Sequence, residues 1–219
     1  MTQEILIRAV LFDFGLVLSG PPDPAAHRRL ERILHTTQAR LDEVYWRHRH
    51  DYDRGVLDGA SFWRTVGAEL DHPPTEDELT QLFEADSDMW TQPNQPMIDW
   101  AGALQRDGIV TGVLSNMGDV METGIFERCP WINGFAHLIF SHRLLIAKPD
   151  ERIYSYALGA LNVRASELLF IDDRIENIEA ARAIGLQAIH YTRHEDFVRA
   201  FEDGRFGGLP APAETSSTR

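Results

Sequence analysis

The feature that most restricts how this chain can fold is a set of short apolar runs, most of them closed by a polar residue. Residues 5–12, "ILIRAVLF", are almost continuously apolar and β-branched, with turn formers after Leu18. A run of that length without strict alternation is expected of a strand covered on both faces. Residues 109–114, 137–141 and 168–171 repeat the pattern, and "LQAIHY" predicts a fifth short strand. Helical spacing follows the runs: after the fourth, Ile175, Ile178 and Ala181 share a face, and Gly185 stands where a helix end wants a left-handed residue. Alternating strands and helices predict a parallel sheet with helices on both faces.

Residues 18–97 break that rhythm. They hold amphipathic stretches only: Leu41, Val44, Tyr45, His48 and Tyr52; then Phe62, Trp63, Val66 and Leu70; then Leu79, Leu82 and Phe83 behind a capping signal at Thr75 and Glu78. The spacing predicts a small helical bundle inserted after the first strand, leaving through "GPPDP" and returning through "TQPNQP". Residues 1–17 and 98–205 then form the α/β core, and the small, polar, Pro-rich residues 206–219 are expected to be a disordered tail.

Composition narrows the function. In 219 residues the formal charge is -13, which argues against a nucleic-acid surface, because phosphate backbones are held by clustered Lys and Arg. No apolar run reaches the roughly 18 to 20 residues of a membrane span, and the N-terminus has early charge and no small-residue cleavage site. The sequence predicts a soluble cytoplasmic protein, and it leaves monomer or homodimer open. Cys129 is the one cysteine, which excludes an intramolecular disulfide and a multi-cysteine zinc site; beside Pro130 it reads as a bystander thiol.

In open parallel sheets ligands bind outside the carboxyl ends of the strands. Here those ends are polar: Asp13 after the first run, Ser115 and Asn116 after the second, Asp172 and Asp173 after the fourth, with Lys148 before a Pro-initiated helix after the third. Three carboxylates on one rim repel one another by several kcal/mol per pair, on the order expected at an effective dielectric near 20. A cation is required. Hard oxygen ligands favour Mg²⁺, and a lysine ammonium adds a point charge suited to phosphate.

"LFDFGLVL", "GVLSN", "AKPDERIY" and "FIDDRIENI" stand in the order of the four motifs of the haloacid dehalogenase-like hydrolases, and the chain resembles that superfamily across its whole α/β core. The resemblance implies a Rossmann-like core with a small α-helical cap. It is closest to the branch with an Asp-x-Gly first motif, which includes bacterial phosphatases acting on sugar phosphates such as glucose 1-phosphate. Carried over, it assigns Asp13 as the nucleophile that forms an aspartyl-phosphate. Mg²⁺ would be held by Asp13, the Gly15 carbonyl and Asp173, with Asp172 binding it directly or supporting it from behind. Ser115 would donate to the phosphoryl oxygens, Lys148 would pair with phosphate and nucleophile, and Phe14, Gly15 and Asn116 would help bind phosphate. The substrate implied is a small phosphorylated metabolite, a sugar phosphate being favoured.

The Asp-Phe-Gly triplet also occurs in protein kinases, but the twelve residues before Asp13 cannot hold a Gly-rich loop, a strand lysine and a catalytic loop. No GxGxxG or GxxxxGK[ST] occurs. The departure that matters is Gly15, where many phosphatases of the superfamily carry an aspartate that protonates the leaving alkoxide. The leaving group would need little help, as an anomeric hydroxyl does, or would draw its proton from a cap residue or water. Two alternatives remain: a metal-free 2-haloacid dehalogenase, which needs no such proton, and a degenerate non-catalytic member that binds a phosphorylated ligand or a protein.

Other residues have plainer readings. Asn177 is expected to face solvent or bond locally, and His48 to be a satisfied interior histidine. Arg47, Arg49 and His50 are expected on a solvated face, and Trp46, Trp63 and Trp90 in the core.

Overall fold

The structure, a computed structural model, describes residues 6–202, 206 and 208–214. Ile5 of the expected first strand, residues 203–205 of the expected core, and 207 and 215–219 of the expected tail lie outside the described residues. Five parallel strands, β1 (Ala9–Phe12), β2 (Val110–Ser115), β3 (His137–Phe140), β4 (Leu168–Asp172) and β5 (Gln187–His190), lie in the order β3-β2-β1-β4-β5. The expected strands are all present, though β1 starts at Ala9: Leu6 is exposed and Arg8 only begins the pairing, its N–H donating to the Glu167 carbonyl.

Period-two alternation splits the sheet residues between two apolar layers. Val10, Phe12, Val113, Leu169 and Ile171 face α5 (Gln95–Arg106), α6 (Asp119–Arg128) and α10 (His194–Glu202). Ala9, Leu11, Leu114, Leu168 and Phe170 face α8 (Glu151–Leu161) and α9 (Ile175–Ala183). Both faces are covered, which is why the strands read as unbroken apolar runs. On α9, Ile178 and Ala181 are buried but Ile175, one turn earlier, is 45% exposed. Gly185 follows α9 with φ +91°, a left-handed end that glycine adopts without a Cβ clash. Helix α8 starts two residues after Pro149, capped by Asp150, which accepts from the Arg152 N–H.

Four helices between β1 and α5 share an apolar core of their own: α1 (Pro24–Ile33), α2 (Gln38–Asp53), α3 (Gly59–Glu69) and α4 (Glu76–Trp90) bury Leu30, Leu41, Val44, Phe62, Trp63 and Leu82 together. Thr75 and Glu78 form the reciprocal cap of α4 that their spacing predicts. The two connecting chains run side by side, with a bridge between Ser19 and Pro93 and the Gly20 N–H donating to the Gln92 carbonyl at 2.6 Å. None of the described helices is long and apolar enough to cross a membrane.

The described part of the tail packs against the core. Trp100 Nε1 donates to the Pro210 carbonyl at 2.8 Å, His194 Nε2 donates to the Ala213 carbonyl at 2.7 Å, and Phe206 is buried. Composition predicts disorder where no apolar face is in sight; here a buried indole N–H and a histidine supply donors that the tail carbonyls satisfy.

Candidate active site

The chain order of the sheet reverses between β1 and its neighbours β2 and β4, and the ends of these three strands meet at that switch point. Asp13 directly follows β1, Ser115 ends β2 and Asp172 ends β4. Lys148 reaches the same rim from the loop between α7 (Ser141–Leu144) and α8, and the residue is 3% exposed. All three of its hydrogens have acceptors: the Leu114 carbonyl at 2.9 Å, Asp172 Oδ2 at 2.6 Å and Asp13 Oδ1 at 2.9 Å.

The surrounding groups hold these in place. Asn116 and the Lys148 backbone bond reciprocally, Nδ2 donating to the carbonyl at 2.9 Å and Oδ1 accepting from the N–H at 2.8 Å. Asn177 Nδ2 lies 2.9 and 3.0 Å from the two oxygens of Asp172, and the Arg174 N–H donates to Asp172 Oδ1 at 2.8 Å. The Phe14 N–H donates to Asp13 Oδ1 at 2.7 Å, which fixes the rotation of that carboxylate.

The charges on this rim do not balance. Asp13, Asp172 and Asp173 each bring an oxygen within 4.8 Å of the others, against one ammonium. Burial pushes the Asp13 carboxyl up to about 7, with Asp172 and Asp173 adding to the rise and Lys148 opposing it. Burial and Asp172 also push Asp173 up. Lys148 is held above its ordinary value, since Asp13 and Asp172 outweigh the burial that disfavours its charge. An all-oxygen donor set with two uncompensated negative charges fits a hard divalent cation.

The opposite wall of the cleft belongs to the helical lobe. The cleft encloses about 150 Å³, and Trp46, Arg49 and Asp53 of α2 and Trp90 of α4 face the rim across it. Arg49 is buried: its Nε donates to Asp53 Oδ1 at 2.7 Å, its Nη1 donates to the Tyr45 hydroxyl, and the guanidinium lies 5.8 Å from the Trp90 ring. The Tyr45 hydroxyl donates to Asp86 Oδ1 of α4 at 2.8 Å. Burial pushes Asp53 and Asp86 each up to about 6 against the pull of Arg49.

A family model for haloacid dehalogenase-like hydrolases matches residues 7–185. The chain belongs to that family. It is 31% identical over 206 residues to bifunctional epoxide hydrolase 2 of Mus musculus, an alignment covering 84% of this chain but only 36% of the mouse protein. It is 26% identical to (S)-2-haloacid dehalogenase 1 of Pseudomonas sp. (strain CBS-3), with 85% of each chain covered. It is 31% identical to phosphatase MT3486 of Mycobacterium tuberculosis (strain CDC 1551 / Oshkosh), covering 83% of this chain and 86% of that one. A HAD family enzyme of Bacteroides thetaiotaomicron, solved with magnesium and inorganic phosphate, superposes with a TM-score of 0.71 at 19% identity over 89% of this chain and 99% of that one.

Within this hydrolase fold, Asp13, Phe14, Gly15, Ser115, Asn116, Lys148 and Asp173 line one cleft, and Asp172 lies directly behind them. Three of them hold positions that the motifs do not convey. The Asn116 amide is occupied by the Lys148 backbone, so it positions the lysine. The Phe14 N–H is taken by Asp13 Oδ1 and is not free for an incoming anion. Asp172 spends its oxygens on Lys148, Arg174 and Asn177, which leaves Asp13 and Asp173 as the carboxylates open to a ligand. Of the two readings for Asn177, the local bond holds and the solvent-facing one does not: it is 2% exposed and orients Asp172.

The lobe wall corrects the sequence reading. Arg49, expected in solvent, is buried, whereas His48 points away from the cleft and bonds Glu69 at 2.7 Å. Tyr45, Arg49 and Asp53 recur at i, i+4 and i+8, the signal that could have placed Arg49 inside. Trp63 is in the core as expected; Trp46 is 55% exposed at the cleft mouth, its ring 6.0 Å from that of Trp90.

Proposed function

We propose that the chain is a magnesium-dependent phosphomonoester hydrolase acting on a small phosphorylated metabolite through an aspartyl-phosphate at Asp13. The observation that carries this reading is Lys148 pinned between Asp13 and Asp172, with Asp173 completing an acidic set that one lysine cannot neutralise. Asp13, Asp173 and the Gly15 carbonyl would hold the ion, which when bound supplies the positive charge that lets a carboxylate approach a phosphoryl group.

The chain's own residues do the rest. Asp13, its rotation fixed by Phe14 and Lys148, attacks phosphorus in line with the ester oxygen, forming its own O–P bond as the ester P–O bond breaks. Ser115, buried at the end of β2 and lining the cleft, donates its hydroxyl hydrogen to a phosphoryl oxygen. Lys148 offsets the charge gathering on the same oxygens. Water then opens the aspartyl-phosphate and returns Asp13.

The organic part of the substrate would lie against Leu16, Trp46, Trp90, Met117 and Met121. Such walls suit the C–H face of a sugar ring or a short hydrocarbon and offer little to a second phosphate. A dehalogenase would not need the surplus of carboxylates, so the charge balance favours the phosphatase.

Phosphate release from sugar phosphates, phosphoglycolate, nucleotides and terpenoid monophosphates, with Mg²⁺ and with chelator, tests the reading. Release that stops with chelator is expected; halide release from 2-chloropropionate without metal, or silence across the panel, overturns it.

A further inference from the structure

We infer that Asp53, at the end of α2, protonates the leaving oxygen of the ester, a role that rests on the phosphatase reading above. Expulsion of an ordinary alkoxide calls for a positioned acid, an effect of about 10² to 10⁴ in rate. Gly15, two residues after the nucleophile, carries no side chain, and a Cβ built there meets nothing within 4 Å. The proton must come from elsewhere in the cleft. Three carboxyl side chains line it among the described residues: Asp13 and Asp173, which belong to the acidic rim, and Asp53, which faces that rim from the lobe.

Asp53 is held against the rim by direct bonds. The Ser141 hydroxyl donates to the Asp53 carbonyl, and Ser141 Oγ accepts the Met117 N–H at 3.0 Å, so two hydrogen bonds through Ser141 join Asp53 to the loop that follows Ser115. The lobe and the rim touch closely beside it. A Cβ on Gly118 would sit 2.0 Å from the Tyr52 ring, and Gly55, with φ +73°, passes so near α7 that a Cβ would lie 2.6 Å from the His142 carbonyl. The distance from Asp53 to the reacting centre is therefore set by packed backbone.

The carboxyl is oriented for the task. Its Oδ1 accepts from Arg49 Nε at 2.7 Å, while Oδ2 has no hydrogen-bond partner among the described residues. The charged groups that act on it are Arg49 and His50 on its own helix and Asp86 on α4, and Asp13, Lys148, Asp173 and Arg174 line the cleft opposite. Within the lobe one guanidinium faces two buried carboxyls, Asp53 and Asp86, so the cluster has room for a proton. Burial pushes Asp53 up to about 6, within reach of working pH.

The step balances. As the ester P–O bond breaks, its electron pair stays on the alkoxy oxygen and the Asp53 Oδ2 proton moves to that oxygen, giving the alcohol. The carboxylate left behind remains paired with Arg49. When water attacks the aspartyl-phosphate, Asp53 takes the water proton and is restored. The leaving group then needs no acidity of its own, which removes the chemical reason for preferring anomeric phosphates.

The test compares p-nitrophenyl phosphate, whose leaving group needs no proton, with an alkyl phosphomonoester, using Asp53→Asn and Asp53→Ser. On the alkyl ester, kcat/KM should fall by about 10² or more, and on the nitrophenyl ester by at least tenfold less. The wild-type alkyl rate should decline as pH rises through about 6, where Asp53 loses its proton, and this limb should vanish in both variants. Adding Gly15→Asp to Asp53→Asn should recover at least about tenfold on the alkyl ester, since a carboxyl there has open space. Equal losses on the two esters, or none, in variants whose unfolding midpoint matches wild type, overturn the role. A wild-type protein inactive on both esters overturns the phosphatase reading and this role with it.

Discussion

The two walls of the cleft face the same electrostatic problem and differ in the means available to solve it. On the rim, three carboxylates surround one lysine, and Asp13 and Asp173 keep oxygens free. In the lobe, two buried carboxyls surround Arg49, and the Tyr45 hydroxyl donates to Asp86. A surplus of two charges invites a divalent ion; a surplus of one is met by a proton. On the reading proposed above, buried negative charge would serve as a metal site on one wall and as an acid on the other, because both are shielded from water by a small apolar cleft.

Asp13→Asn removes the proposed nucleophile with little change in shape. It should cut turnover by about 10⁴ or more without lowering the thermal unfolding midpoint, as phosphate release and calorimetry would show. A variant that keeps a tenth of the activity would mean that the rim binds a ligand without reacting with it.

Removing the central cation from either wall should separate the two solutions. Lys148→Met and Arg49→Met each leave carboxylates buried without their partner, a loss of about 3–5 kcal/mol in unfolding measurements. Added Mg²⁺ should restore part of the Lys148→Met loss and none of the Arg49→Met loss. Lowering the pH from 7 to 5 should restore part of both losses: Asp13, Asp53 and Asp86 have folded values above their ordinary ones, so the stability tied to their protonated form is complete below the ordinary carboxylate range and lost as pH rises through about 7 for Asp13 and about 6 for Asp53 and Asp86. Rescue of the Arg49→Met variant by Mg²⁺ would erase the distinction.

Asn177→Ala takes the amide from both oxygens of Asp172 and should cost about 1.5–3 kcal/mol, with a matching rise in the sensitivity of turnover to ionic strength. The smallest effect is expected at Asp86→Asn. At pH 4 wild type and variant should unfold at similar temperatures. By pH 7 the variant should gain about 1–2 kcal/mol relative to wild type, because Asn has no proton to lose at a position where burial disfavours the carboxylate.

Much of the rim was legible because it is local. Asp13, Ser115 and Asp172 lie at the ends of strands whose apolar runs announce them, Lys148 stands just before the Pro-initiated helix α8, and the geometry of a parallel sheet brings strand ends together. For Asn177, only five residues past Asp172, the sequence left solvent and a local bond as alternatives, since a polar residue on the first turn of a helix looks the same in solvent as it does beneath a carboxylate. Arg49 and Asp53 were harder. His48 and Arg49 are neighbours on α2, and which one turns inward is decided by Asp86 of α4 and by the contact of the lobe with residues 117–119 and 142, distant in sequence.

The tail shows the same division. Its composition resembles disorder, yet Trp100 and His194 present donors that Pro210 and Ala213 satisfy. By itself the sequence determined the sheet, the inserted helices and the three polar strand ends, because periodicity and burial act over a few residues. The tertiary structure alone decided which lobe side chains face the nucleophile, because that depends on contacts between segments whose separation along the chain no local pattern records.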